Sequence, residues 1–198
     1  MNTRFIERAP FPDEADYIAA LINTSSHGLV SYLLDGILPG FSGESLLSAA
    51  LMQGDSGYAL KSMLALEDEA GIAGLLLAYP AEDHVVHSAM AIFASRAKID
   101  AARPLLEESI PGSLHINTLW ARDGVDFEAV MNLLLRRAKD QARQLGLAGL
   151  CLCCLDSELQ AIRFFEEQGF TMEKRFTLDP EVADRSGGGR LLHKNLEI

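Results

Sequence analysis

The sequence predicts an α/β fold in which seven candidate strands alternate with helices, and three observations carry that prediction. A long amphipathic helical pattern over residues 126–145 lies between two apolar runs, 114–121 and 150–155, with the spacing of a strand–helix–strand crossover. Residues 63–67 and 72–79 are apolar runs joined by Asp68-Glu69-Ala70-Gly71, which reads as a hairpin with a short polar loop. The chain of 198 residues is 48% apolar and 23% charged, which suits one packed domain over 1–198 and is too apolar for a disordered chain.

The elements follow in order. Residues 3–8 read as a first strand, and Pro12-Asp13-Glu14 supplies the proline and acids that open a helix over 15–22. Two short helices, 29–34 and 44–52, are separated by the turn signal Leu38-Pro39-Gly40-Phe41. Pro80 closes the hairpin, 99–108 has helical spacing, and Pro111-Gly112 breaks the chain before the strand 114–121. In the long helix Val130, Leu133, Leu134, Ala138 and Ala142 form an apolar stripe, and Gly146 stands where a C-terminal glycine belongs. After the buried strand 150–155, a shorter helix over 158–168 ends at Gly169. Residues 170–178 and 190–196 make a closing strand pair, with Gly187-Gly188-Gly189 as a flexible link.

A formal net charge of -11 repels nucleic acid and anionic membranes at long range, so neither is expected as a partner. The N-terminal residues carry no apolar run long enough for a signal peptide, and the most apolar stretch, 71–79, is too short to span a bilayer, so the expected compartment is the cytoplasm. Cys151, Cys153 and Cys154 sit in one apolar run. Alternation along a strand puts Cys151 and Cys153 on one face and Cys154 on the other, which favours buried small hydrophobes over a metal or redox site.

Strand, long helix, strand, helix and then the ending FFEEQGF is the order of the second half of the GNAT family of N-acetyltransferases, which the chain resembles. The segments PGSLHINTLWA, GIAGLLLAYP and YALKSMLALEDEAG resemble the fourth, third and second strands of a bacterial subgroup of that family, so the resemblance covers nearly the whole chain. It implies a mixed, mostly antiparallel central sheet of about seven strands flanked by helices, with the fourth and fifth strands splayed apart. It also implies an acetyl-CoA-dependent transferase acting on a small amine or peptide amine. The coenzyme would lie in the V between those strands, with its pantetheine along Leu119, Trp120 and Ala121 and its pyrophosphate on the N-terminus of the long helix, through Phe127, Glu128, Ala129 and Val130. Free N–H groups and the helix dipole favour phosphate there. A homodimer is compatible with the same resemblance, as is a silent GNAT-fold binding or regulatory protein.

The family's phosphate motif, Q/R-x-x-G-x-G/A, falls without gaps on Asp126, Ala129 and Met131, none of which matches. Asp126 and Glu128 set negative charge where two phosphates would sit, so weak coenzyme binding is expected. Asp126 reads either as a plain helix cap or as part of an altered ligand site. In ELQAIRFFEEQGF, Ala161, Gly169 and Phe170 match the family, whereas Glu158 replaces an asparagine that contacts the coenzyme and Phe165 replaces the tyrosine that protonates the leaving thiolate. Phenylalanine cannot donate a proton, which leaves Tyr58 or a water for that role. His115, sharing a strand face with Asn117, is the candidate general base. His84, His87, Glu82 and Asp83 cluster after the third strand in what reads as a solvated loop, with no metal site expected.

Overall fold

The computed structural model describes residues 5–53, 58–86, 94–182 and 187–196. Its elements run β1 (Ile6–Arg8), α1 (Ala15–Ser25), α2 (Leu29–Leu34), α3 (Gly43–Gln53), β2 (Met63–Asp68), β3 (Gly71–Pro80), α4 (Arg96–Glu107), β4 (Ser113–Ala121), α5 (Phe127–Gln144), β5 (Gly149–Leu155), α6 (Leu159–Glu167), β6 (Thr171–Thr177) and β7 (Gly188–Asn195). The strands form one sheet in the order β1-β2-β3-β4-β5-β7-β6. Every neighbouring pair is antiparallel except β4 with β5. This is the mixed, mostly antiparallel seven-stranded sheet that the resemblance implies.

Two cores lie on opposite faces. On one, the predicted stripe of α5 buries Val130, Leu134 and Ala138 against Leu76, Leu114 and Leu152, and α6 adds Ile162 and Phe165. On the other, α1 packs Ile18, Ala19 and Ile22 against Ala65, Leu75 and Leu77. Lying between the two layers, β3 is buried from Ile72 through Tyr79, which is why its sequence is a continuous apolar run. Among the described residues no helix is long and apolar enough to cross a membrane.

The triple glycine is not a link. Gly188 and Gly189 belong to β7 and pair with Thr177 and Phe176, and Gly189 also pairs with Leu155. A Cβ at Gly189 would stand 2.6 Å from the Phe176 ring and 2.9 Å from the Cys154 carbonyl oxygen, so glycine here permits close approach. Residues 3 and 4 of the predicted first strand lie outside the described residues.

Gly74 sets how closely α5 lies on the sheet. A Cβ there would meet Val130 Cγ1 at 2.6 Å and Leu134 Cδ1 at 3.1 Å, both on fully buried side chains. Val130 is β-branched and has few rotamers to escape into. Gly74→Ala is expected to destabilise the protein by about 1–3 kcal/mol, a fall in Tm of roughly 2–4 °C per kcal/mol for a chain of this size. A thermal melt that matches the parent would show that α5 is not seated by this glycine.

Candidate active site

The site begins with the one parallel pairing of the sheet. Strands β4 and β5 share three rungs, Ser113↔Gly149, Leu114↔Leu150 and His115↔Cys151, and no pairing between them continues beyond. Each strand then follows a different neighbour: β4 stays with β3 as far as Ala121↔Gly74, while β5 stays with β7 as far as Leu155↔Gly189. The two diverge toward their C-terminal ends, as the resemblance implies.

A bulge helps to aim β4. Its register against β3 steps from Leu77↔Thr118 to Ala78↔Ile116, leaving Asn117 as the extra residue. Ile116 and Leu119 therefore both pack with the α5 core, although three residues apart, while Trp120 packs with the α1 core. Strict alternation, which would set Ile116 and Leu119 on opposite faces, breaks at Asn117. A single extra residue reverses which face later side chains reach.

Into the gap opens a cavity of about 600 Å³. Its sheet wall includes His115, Asn117, Leu119 and the 152–155 end of β5; Met131, Ala161 and Phe165 close it from α5 and α6. The opposite wall comes from α2, α3 and α4, through leucines such as Leu33, Leu47 and Leu105. Of the residues expected to contact the coenzyme, Leu119, Met131 and Glu158 line this cavity. Trp120, Ala121, Phe127 and Val130 are instead packed in the two cores.

Buried polar groups line one end. The Tyr58 and Tyr79 hydroxyls are 2.6 Å apart, the Tyr79 hydroxyl is 3.1 Å from His84 Nδ1, and Asn117 Nδ2 lies 3.4 Å from the Tyr58 hydroxyl. His84 stacks on His115 with ring centroids 3.6 Å apart, and Cys151 Sγ is 3.7 Å from His115 Nδ1. His84 is thus a core residue, not part of a solvated loop, because its ring completes this stack; His87 lies outside the described residues. Burial raises the pKa of Tyr58, so its hydroxyl keeps its proton at neutral pH. Burial, with His84 beside it, holds His115 well below the usual histidine range, so its imidazole is neutral.

At the open end stands Glu158. Its Oε2 accepts the Leu155 backbone N–H at 2.7 Å, and its Oε1 lies 3.4 Å from His27 Nε2, joining the end of β5 to the α1–α2 connection. Sequence reasoning missed His27. Its φ of 53° is left-handed, uncommon for a residue with a Cβ, and the local signal was the His27-Gly28 turn between two helices.

The N-terminus of α5 carries an internal anion. Asp126 is the N-cap, with its side chain accepting the Ala129 N–H at 3.0 Å, while its carbonyl takes the Val130 N–H. Glu128 is exposed in the first turn. Arg122, the nearest cation in sequence, is spent elsewhere: it donates to Asp68 Oδ2 at 2.6 Å and to the Ile72 carbonyl at 3.2 Å.

The cysteines fall as their alternation predicts. Leu150, Leu152 and Cys154 enter the α5 core, while Cys151 and Cys153 face the other way. All three are free thiols, and burial pushes Cys151 up to about 11 and the other two higher still, so they are protonated at neutral pH. Among the described residues no group of His, Cys, Asp or Glu could hold a metal ion.

Known proteins match this chain by shape. No protein-family model and no curated protein matches the sequence. A solved acetyltransferase structure is similar over 97% of this chain and 100% of its own, with a TM-score of 0.67 and 20% identity. An N-acetyltransferase from Staphylococcus aureus Mu50 is similar over 96% of this chain and 100% of its own, at a TM-score of 0.70 and 16% identity. An acetyltransferase of the GNAT family from Streptococcus pneumoniae is similar over 98% of this chain and 100% of its own, at a TM-score of 0.55 and 14% identity.

The neutral burial of His115 has a consequence for stability. Its folded pKa is depressed below the unfolded value of about 6.5, so the unfolded chain binds the proton more tightly. Stability is then full above about pH 6.5 and falls below it, by at most about 1.4 kcal/mol per pH unit for this group. The lowered carboxyls, Glu14, Asp68 and Asp156, act only in the more acidic range. Tm is expected to drop between pH 7 and pH 5, and His115→Gln is expected to flatten that slope. An unchanged slope in the variant would contradict a buried neutral His115.

Proposed function

We propose that this chain, which carries the fold of the GNAT N-acetyltransferases, transfers an acetyl group from acetyl-CoA to an amine in the gap between β4 and β5. The observation that carries the reading is the end of the β4–β5 pairing at His115 and Cys151, with the cavity opening beyond it. Past that rung the β5-facing edge of β4 has no strand partner. Backbone groups there need other hydrogen-bond partners, and the amides of a pantetheine arm are suitable ones.

The two ends of the coenzyme fit unequally. The arm suits the gap, where Leu119, Met131, Ala161 and Phe165 offer apolar walls. The pyrophosphate end meets the Asp126 carboxylate on an N–H that phosphate would use, Glu128 beside it, and an Arg122 already paired with Asp68. Weak coenzyme binding follows from that electrostatics, with about 1 kcal/mol or more forgone per missing charge-assisted contact.

Acetyl-CoA supplies the activated thioester, and the work left to the protein is mostly positioning. The walls hold the reacting groups together and exclude water. Tyr58, protonated and lining the cavity, is the residue proposed to return a proton to the leaving thiolate, the task that Phe165 cannot perform. His115 is proposed as the proton acceptor. Its depressed pKa makes it a weak base, so positioning carries more of the rate than proton transfer. A second reading, a silent binding protein on the same fold, is favoured by the occupied helix N-terminus at Asp126.

Charge reversal separates the two readings. Asp126→Arg combined with Glu128→Gly removes two negative charges and restores one cationic donor. The double variant is expected to lose about 1 kcal/mol with its cap and to gain a larger upward Tm shift with CoA than the parent shows, as linkage requires. If it folds and its Tm ignores CoA, the silent-protein reading replaces the transferase.

A further inference from the structure

The cavity, at about 600 Å³, is larger than an acetyl group and a small polar amine require, and apart from Ser25, Ser26 and His27 at the α1–α2 connection its helical wall is mostly apolar. Leucines and valines of α2, α3 and α4, including Val30, Leu33, Leu47 and Leu105, supply that wall. Across from them the polar groups, Tyr58, Asn117, His84 and His115, are neutral or engaged with one another. Among the described residues Glu158 is the one carboxylate on the lining, and no lysine or arginine is on it. Glu158 immediately precedes α6 and is hydrogen-bonded to Leu155 at the C-terminal end of β5, past the last rung that β5 shares with β4. Its Oε2 has one backbone donor and its Oε1 faces His27 Nε2 at 3.4 Å, so a carboxylate with about four lone-pair sites still has acceptor capacity for a further cation.

We propose that the acceptor is a primary amine carried on an apolar body: Glu158 holds the ammonium at the gap, and the body lies in the chamber walled by α2, α3 and α4. This rests on the transferase reading for the fate of the amine and on the cavity alone for its recognition. Other ligand classes fail on the same surfaces. A fatty carboxylate would face Glu158 and be repelled. A polyamine would press its second ammonium against leucines with no counter-charge, a costly burial. A peptide would place backbone N–H and C=O groups where the wall offers few partners.

The test is calorimetry on the full chain without coenzyme, at fixed salt and pH 7.5, using butylamine, hexylamine, octylamine and spermidine, with 1-octanol as a neutral probe. Affinity is expected to rise about threefold to fourfold per added methylene, the transfer value for a buried CH₂, and spermidine is expected to bind more weakly than hexylamine. Glu158→Gln keeps an oxygen for the Leu155 N–H and removes the charge. It is expected to weaken every alkylamine about tenfold and to leave octanol unchanged. Leu47→Asn, a neutral polar change on the partly buried face of α3, is expected to weaken octylamine more than butylamine; a melt confirms that each variant folds. A flat chain-length series, or tighter binding of spermidine, overturns the proposal.

The same amines are then offered with acetyl-CoA and thiol release is followed. Chain-length-dependent binding without thiol release leaves the amine chamber standing and removes the transferase reading. Thiol release that is indifferent to chain length does the reverse.

Discussion

The parallel register between β4 and β5 holds for three rungs and then stops, and the rest of the site depends on where it stops. Up to His115 the sheet is continuous, so α5 can cross from one strand to the next and bury its stripe over both. Beyond it, β4 is bound to β3 and β5 to β7, each by a long antiparallel ladder that keeps it from closing on the other. Sheet twist widens such a gap, and the extra residue at Asn117 adds to the local bend. A gap in the middle of a sheet exposes backbone donors and acceptors that an apolar core cannot satisfy. The fold thus sustains a polar slot between two apolar layers because strong ladders on either side hold it open.

At the far end of that slot the same economy of backbone groups works against an anion. The first N–H groups of α5 need acceptors, and Asp126 supplies one from within the chain. A tethered carboxylate loses little freedom on binding, whereas a phosphate group must bring its own binding energy and displace it. Arg122, which could have balanced the charge, is held by Asp68, and Asp68 also accepts the Ala70 N–H in the β2–β3 turn. Freeing the arginine would give up its contacts to Asp68 and to the Ile72 carbonyl on either side of that turn. Stability at both places is gained from groups that, in the proposed transferase, would be the ones available to a coenzyme.

The strands and helices were legible because each has a local signal: the apolar runs of β2 and β3 on either side of a polar turn, the stripe of α5, and the positive-φ glycines at Gly146 and Gly169 that stop helices. What failed was non-local. The triple glycine looked like a linker because glycine is permissive, yet at Gly188 and Gly189 it answers to the approach of Phe176 and Cys154. His84 looked solvated among acids, but its ring is covered by His115 on the neighbouring strand, 31 residues on, as well as by nearby Tyr79 at the end of β3. The bulge at Asn117 has no local mark at all. The cavity was invisible for the same reason, since its walls come from α2, α3, α4 and the ends of β4 and β5, and no window of sequence contains them together.

These features shift where binding energy can come from. A phosphate cradle anchors a coenzyme by charge, so weakening it asks the rest of the cleft to supply the orientation that catalysis needs. Here the rest of the cleft is an apolar chamber with one carboxylate at its neck and a buried Tyr58–Tyr79–His84 chain at its end. Apolar contact is non-directional and cannot by itself fix an angle of attack. A charge at the neck and hydrogen-bonding groups at the end can, because each accepts only particular geometries. Under the proposed transfer, the apolar walls would contribute affinity and water exclusion, and Glu158 with the Asn117 bulge would contribute direction. In that proposal the specificity of the site would lie on the acceptor side of the gap, away from the helix terminus where the family resemblance first points.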